Sequence, residues 1–166
     1  MSSTANTTSS MTIAAQLAKR IVNAHPEREA LGQHVGQRLI MDVAGICIAA
    51  RHEFYVKAAL SSFEQEGHCT VFGFEQKCGV EGAAFVNGIA AHGEDFDDTY
   101  EGGPVHAGVV IVPALLAAAE RHALSGEALL RGVAIGVEVM CRLCAVAPTR
   151  VHKAGFHPTT VFGVMG

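Results

Sequence analysis

Val109-Val-Ile-Val-Pro-Ala-Leu-Leu-Ala-Ala-Ala-Glu120 is the most apolar stretch of the chain. Its eleven uncharged residues, Val109 to Ala119, are interrupted by Pro113 and closed by Glu120, Arg121 and His122. A bilayer span needs about 20 such residues. The stretch therefore reads as a buried helix, roughly Val110 to Leu124, with Pro113 near its first turn or kinking it. Downstream, Ser125 is placed to cap a helix over about Gly126 to Val146, with Leu129, Val133, Val137 and Met140 on one face. Upstream, Gly79 to Gly93 is a helix rich in small residues, which let neighbouring helices approach closely. Ile13, Leu17 and Ile21 form one stripe across Thr12 to Asn23, ended by His25-Pro26. A second helix is expected from Glu29 or Gln33 to Ala50, with Val35, Leu39, Val43 and Ile46 inward, and a third over about Glu53 to Gln65. His68 to Phe74 is the one strand-like piece and has no obvious partner. Gly155 to Gly166 reads as a loop entering a new helix at Pro158. The fold class is all-α, a multi-helix bundle with at most one short β-strand.

Composition narrows the function. The chain has 166 residues, 49% apolar and 17% charged, against about 25% charged for an average soluble protein. A mean hydropathy of +0.28 leaves more apolar surface than a monomer of this size hides, so a partner subunit or more of the same fold is expected to cover it. The net charge of −4, no Trp and two Tyr remove the electrostatic and stacking case for nucleic acid. Five cysteines, an odd number in apolar surroundings, fit free thiols in a reducing cytosol. Residues 1–11 read as a disordered polar tail with Ser9 or Ser10 available to cap the first helix. They carry neither the basic and apolar regions of a signal peptide nor presequence arginines. A cytoplasmic location is expected.

The densest polar constellation is Glu94-Asp95-Phe96-Asp97-Asp98-Thr99, four carboxylates in five positions within a loop over Asp95 to Gly108. Such a group repels itself unless partnered. It is compatible with capping, with binding a divalent cation, and with orienting a catalytic histidine. His106-Ala-Gly follows, just before the Val110 helix. A histidine at a helix N-terminus is favoured as the neutral imidazole, which suits proton transfer, though it equally serves to bond a backbone carbonyl. Gly155-Phe-His157-Pro-Thr-Thr160 places His157 at an N-cap with Pro158 next and two hydroxyls behind, a corner for an anion beside an acid or base, or a plain capping loop. Cys141-Arg-Leu-Cys144 supplies at most two metal ligands and lacks the βαβ setting of a redox motif. His25, His34, His52, His68, His92, His122 and His152 have no acidic company in ligand spacing and read as ordinary.

Taken together, GIAAHGEDFDDTY, His106-Ala-Gly, VPALLAAAE, SGEALL, GVEVMCR and GFHPTTVFG resemble, in order and spacing, the MmgE/PrpD family of 2-methylcitrate dehydratases, cis-aconitate decarboxylases and iminodisuccinate epimerases. The likeness runs from about residue 12 to the end. It implies that residues 12–166 are part of a larger helical domain, with a lid domain elsewhere in the fold, usually in a homodimer. It also implies proton transfer next to a carboxylate of a small di- or tricarboxylate, with no organic cofactor and no metal. Carried over, His106 and His157 are the catalytic pair, Asp95 orients or polarises a histidine, and Thr99 bonds substrate. Ala107 stands where the family's histidine motif has proline. The site lysines that would neutralise substrate carboxylates have no counterpart in these residues. A 2-methylcitrate dehydratase-like lyase is the first expectation, with epimerase-like and decarboxylase-like activities as alternatives. A non-catalytic fragment completed by a partner chain, and a cation site at Asp95, Asp97 and Asp98, are the readings from other classes.

Overall fold

The computed structural model describes residues 11–64 and 66–166. Apart from Met11, the expected N-terminal tail lies outside the described residues, as do Ser9 and Ser10. The cap on the first helix, α1 (Ile13–Asn23), is Thr12, whose hydroxyl accepts the Ala15 N–H at 3.2 Å. The other helices are α2 (Ala30–Ala50), α3 (Phe54–Ser61), α4 (Val80–His92), α5 (Gly108–Arg121), α6 (Gly126–Val146), the short α7 (Arg150–Lys153) and α8 (Pro158–Gly163), with a 3-10 turn over Pro26–Arg28. The all-α expectation holds. α7 is too short to show a periodic pattern in the sequence.

α4 is the centre of the bundle and packs on α2, α3 and α5. Gly82, Ala83, Ala90 and Ala91 are buried along it, so backbones approach closely. At Gly82 an added Cβ would lie 3.0 Å from Cys78 Cβ and 3.1 Å from the Phe63 ring. α5 runs through Pro113, which sits fully buried in the helix rather than at its entry. On α2 the buried face is Gly36, Val43, Cys47 and Ala50. Val35 is 51% exposed, because it stands one position round the helix from Gly36, the residue that α2 turns toward Leu130.

Two departures have physical causes. The strand-like segment does have a partner. β1 (Cys69–Thr70) pairs antiparallel with β2 (Lys77–Cys78), in register Cys69 to Cys78. A two-residue strand carries no alternation for a pattern to reveal. The apolar stripe of α1 is also covered far less than a core helix would be. Ile13 is 85% exposed, and no residue of α1 is fully buried. α1 is held by its end instead: Arg131 of α6 donates from Nη2 to the Val22 carbonyl at 2.9 Å and from Nε to the Ala24 carbonyl at 3.0 Å. A cation there complements the negative end of the helix.

The hairpin is fastened to the bundle by buried polar groups. Asn87 on α4, 1% exposed, accepts the Phe72 N–H at 2.9 Å and donates to the Thr70 carbonyl at 2.9 Å. Glu120 on α5 accepts the Thr70 N–H at 2.6 Å and the Thr70 hydroxyl at 2.5 Å. No helix among the described residues is long and apolar enough to cross a membrane. All five cysteines are free thiols, and burial pushes Cys47 up to about 12. Replacing Asn87 by Ala leaves one amide and one carbonyl of the hairpin buried without a partner. The expected loss is at least about 2 kcal/mol, read from the midpoint of denaturant unfolding; an unchanged midpoint would show that the amide does not fasten the hairpin.

Candidate functional site

The site is built at one end of the bundle by three pieces: the last residue of α4, the loop that follows it, and the start of α8. His92 ends α4 and Gly93 caps it. The chain then turns through Asp95, whose φ of 56° lies in the left-handed region, a turn position that aspartate tolerates better than most residues. The loop closes on itself through Tyr100 N–H to the Val105 carbonyl at 3.2 Å and Gly103 N–H to the Tyr100 carbonyl at 3.2 Å. Buried Val105 and Ala107 anchor it.

The loop is joined to α5 by Asp98. Its Oδ1 accepts the Gly108 N–H at 2.8 Å and its Oδ2 the Ala107 N–H at 3.2 Å. These are first-turn amides with no partner inside the helix, and the carboxylate faces the positive end of the dipole. Burial nonetheless outweighs both bonds and holds the Asp98 carboxyl above its ordinary value. Gly108 is required here: a Cβ would lie 2.5 Å from Asp98 Oδ1 and 2.7 Å from Leu39 Cδ1. Ala107 contributes an N–H that a proline at this position would lack.

The carboxylate at the centre is Asp97, whose side chain has no exposed surface. Its Oδ2 accepts from His92 Nδ1 at 2.8 Å and lies 3.3 Å from His106 Nδ1. Its Oδ1 is buried without a partner, and so is His106 Nδ1, which is not aligned for a hydrogen bond. From the other side, Gly155 takes a φ of +84°, so that Phe156 and His157 turn back to start α8. His157 caps that helix, its Nδ1 accepting the Thr159 N–H at 3.2 Å. Its Nε2 lies 3.4 Å from His92 Nε2. Thr159, buried, accepts the His106 N–H at 3.1 Å, tying the two histidine segments together.

Sequence reading placed His106, His157 and Asp95 in one site, and the structure brings all three to this corner. Asp95 offers an oxygen within 4.8 Å of ligand atoms of His92, Asp97 and His106. The carboxylate that touches histidines is Asp97, not Asp95, and Asp98 is spent on the α5 amides rather than on a shared cation. Thr99 is exposed and has no side-chain hydrogen bond among the described residues. The residue missed was His92. Its ring packs beside both His106 and His157, with ring centroids 5.1 and 5.5 Å away. Its acidic partner stands five residues on, beyond the helix end, a spacing that only the turn at Gly93 to Asp97 makes short. His92, Asp95, Asp97 and His106 are near enough to one another to surround a divalent cation, although His92 and Asp97 already satisfy each other. The cluster opens on an apolar groove of about 660 Å³ between α4, α5 and α8, lined by Phe85, Ile89, Val110 and Leu115 with His92 and His157 at its edge.

Residues 13–166 match the family described as MmgE/PrpD N-terminal domain. The chain is 32% identical over 135 residues to a cis-aconitate decarboxylase of Aspergillus terreus, covering 75% of this chain and 27% of that one. It is 32% identical over 113 residues to a cis-aconitate decarboxylase-like protein oryM of Aspergillus oryzae, covering 63% and 23%. It is 39% identical over 89 residues to cis-aconitate decarboxylase of Homo sapiens, covering 51% and 18%. The chain thus spans about a quarter of the length of the curated relatives it matches.

Desolvation, then the neighbouring imidazoles of His92, His106 and His152, hold His157 below the ordinary histidine value of 6.5, while Asp95 acts the other way. The neutral ring therefore prevails near pH 7. On acidification the unfolded chain binds this proton first. The contribution of His157 to stability is complete above 6.5 and is lost as the pH falls from 6.5 through the folded value. An NMR titration is expected to give His157 a midpoint below 6.5, and His157→Asn is expected to flatten this part of the acid loss in thermal melts. A midpoint at or above 6.5 would contradict the crowding of imidazoles described here.

Proposed function

The chain belongs to the MmgE/PrpD family, and on that premise we propose that it supplies the acid–base histidines of an enzyme that transfers a proton at carbon next to a carboxylate of a small di- or tricarboxylate. The observation that carries the reading is the placement of His106 and His157. They come from segments far apart in the chain and are tied together by Thr159, which accepts the His106 N–H and donates its own N–H to His157; His157 and Thr159 line the groove. Reactions at such a carbon need one group to take or hold a proton and another to deliver it.

Within the family, the named relatives favour decarboxylation of cis-aconitate over the dehydration expected first. In that reaction the bond between carbon and the departing carboxylate breaks, carbon dioxide leaves, and the electron pair stays on carbon. A histidine then delivers the proton that quenches the carbanion. His106 faces Asp97 at 3.3 Å, so its imidazolium form has a counter-charge at hand and it is the proposed donor. His157, neutral near pH 7, is the second acid–base group of the pair. Asp95 and Thr99, on the exposed side of the loop, are the proposed contacts to substrate. The substrate's carboxylates require cationic partners, which this reading assigns to parts of the family fold beyond these residues or to a partner chain. Exposed Ile13, Val22, Phe85 and Val164 are consistent with such a partner or with the homodimer that the resemblance implies.

A second reading keeps the same histidines for 2-methylcitrate dehydration, or for epimerisation. The three reactions separate by product: carbon dioxide, water loss with all carbon retained, or exchange of the carbon-bound hydrogen with solvent. In the protein isolated from its natural source, carbon dioxide release from cis-aconitate is expected to fall about 10²- to 10⁴-fold in either His106→Ala or His157→Ala, with the fold retained by circular dichroism. Turnover that is near wild type in His157→Ala would remove that histidine from the mechanism. Chelation by EDTA is expected to leave the rate unchanged, and loss of activity on chelation would favour the cation reading of the Asp95–Asp97 cluster.

A further inference from the structure

We propose that His92 is a positioning residue of this centre: it links the buried Asp97 to His157 and fixes which nitrogen of His157 carries hydrogen. The inference rests on the functional reading above for its catalytic meaning, but its geometry stands separately.

The hydrogen-bond roles follow from one end to the other. A backbone N–H can only donate, so the bond from Thr159 N–H requires a lone pair on His157 Nδ1. Neutral His157 must then carry its hydrogen on Nε2, which faces His92 Nε2 at 3.4 Å. His92 Nε2 accepts, so His92 carries its own hydrogen on Nδ1. That nitrogen lies 2.8 Å from Asp97 Oδ2, and an ionised carboxylate oxygen can only accept. Every role agrees with the next: Thr159 N–H to His157, His157 to His92, His92 to Asp97. The alternative tautomer of His92 would face N–H against N–H toward His157 and leave a lone pair against the carboxylate oxygen.

His92 is well placed for this task and poorly explained without it. Its side chain is about one-third exposed, yet both of its ring nitrogens are turned to protein partners. It occupies the last position of α4, the most central helix, so it ties His157 at the start of α8 to the centre of the bundle. The charged and titratable groups around it are Asp97 and Asp95 from the following loop, His106 from the segment before α5, and His157 from the start of α8.

The test reads tautomers directly. Protein labelled with nitrogen-15 in histidine, at mildly alkaline pH without substrate, is recorded by long-range proton–nitrogen correlation. His92 is expected with a hydrogen-bearing Nδ1 and a lone pair on Nε2, and His157 with the reverse. His92→Phe is expected to shift and broaden the His157 ring signals while leaving backbone amides outside the site in place, and His92→Gln, which keeps a donor and an acceptor, is expected to restore part of the wild-type pattern. A wild-type His92 with hydrogen on Nε2 would overturn the proposal with no variant needed. So would His157 signals that are identical in His92→Phe. Since no substrate is present, a protein inactive on carboxylates that still shows the expected tautomers removes the functional reading and keeps the link from Asp97 to His157. In active protein, His92→Phe is expected to lower kcat more than it changes KM, since His92 acts through His157 and not on substrate.

Discussion

Two backbone amides at the start of α5, those of Ala107 and Gly108, are held by the single carboxylate of Asp98, and the geometry of the whole corner follows from that attachment. It fixes where the Asp95–Ala107 loop returns to the bundle. With the return fixed, Asp97 is driven inward and His106 is delivered beside it. The helix gains a cap from a residue remote from its own first turn, and the loop gains an anchor without any regular structure of its own. This economy explains why Gly108 has no room for a side chain: the space a Cβ would need is the space that the Asp98 oxygen uses.

The bundle itself was largely legible. Period-3.6 apolar patterns, Ser125 as a cap, Pro26 as a stop and Pro158 as a start all led to elements that form where the residues call for them. Burial was less legible than helicity. Val35 and Ile13 carry the pattern of inward residues and yet face outward, because periodicity defines a stripe but not what stands opposite it. The partner of the Cys69–Thr70 strand was hidden for another reason. Lys77 and Cys78 pair with it through backbone groups, and buried Asn87 holds Thr70 and Phe72 against α4; neither leaves a trace in hydropathy.

The site was legible in its outline and not in its wiring. His106, His157 and Asp95 could be singled out from their motifs. Assigning the carboxylates required the fold, because adjacent aspartates on an irregular loop point in different directions. Asp97 goes to two histidines, Asp98 to two amides, and Asp95 to the open side. His92 was the least visible, since its two partners lie on the far side of a helix end and on α8. Ala107 illustrates the converse. The departure from the family's proline is visible in the sequence, but its effect is not: Ala107 adds an N–H that takes part in holding the loop.

The six residues of α8 begin on an imidazole rather than on a hydroxyl or carboxylate. A serine or an aspartate caps a helix over most of the pH range, but a histidine does so only while one chosen nitrogen keeps its lone pair. α8 therefore has a conditional beginning. A proton delivered to His157 Nδ1 turns the cap into a second donor facing the Thr159 amide, and Thr159 also holds the backbone of His106. The charge state of one ring is thus written into the folding of the segment beside it, and the two histidines sense each other through a helix end as well as through space.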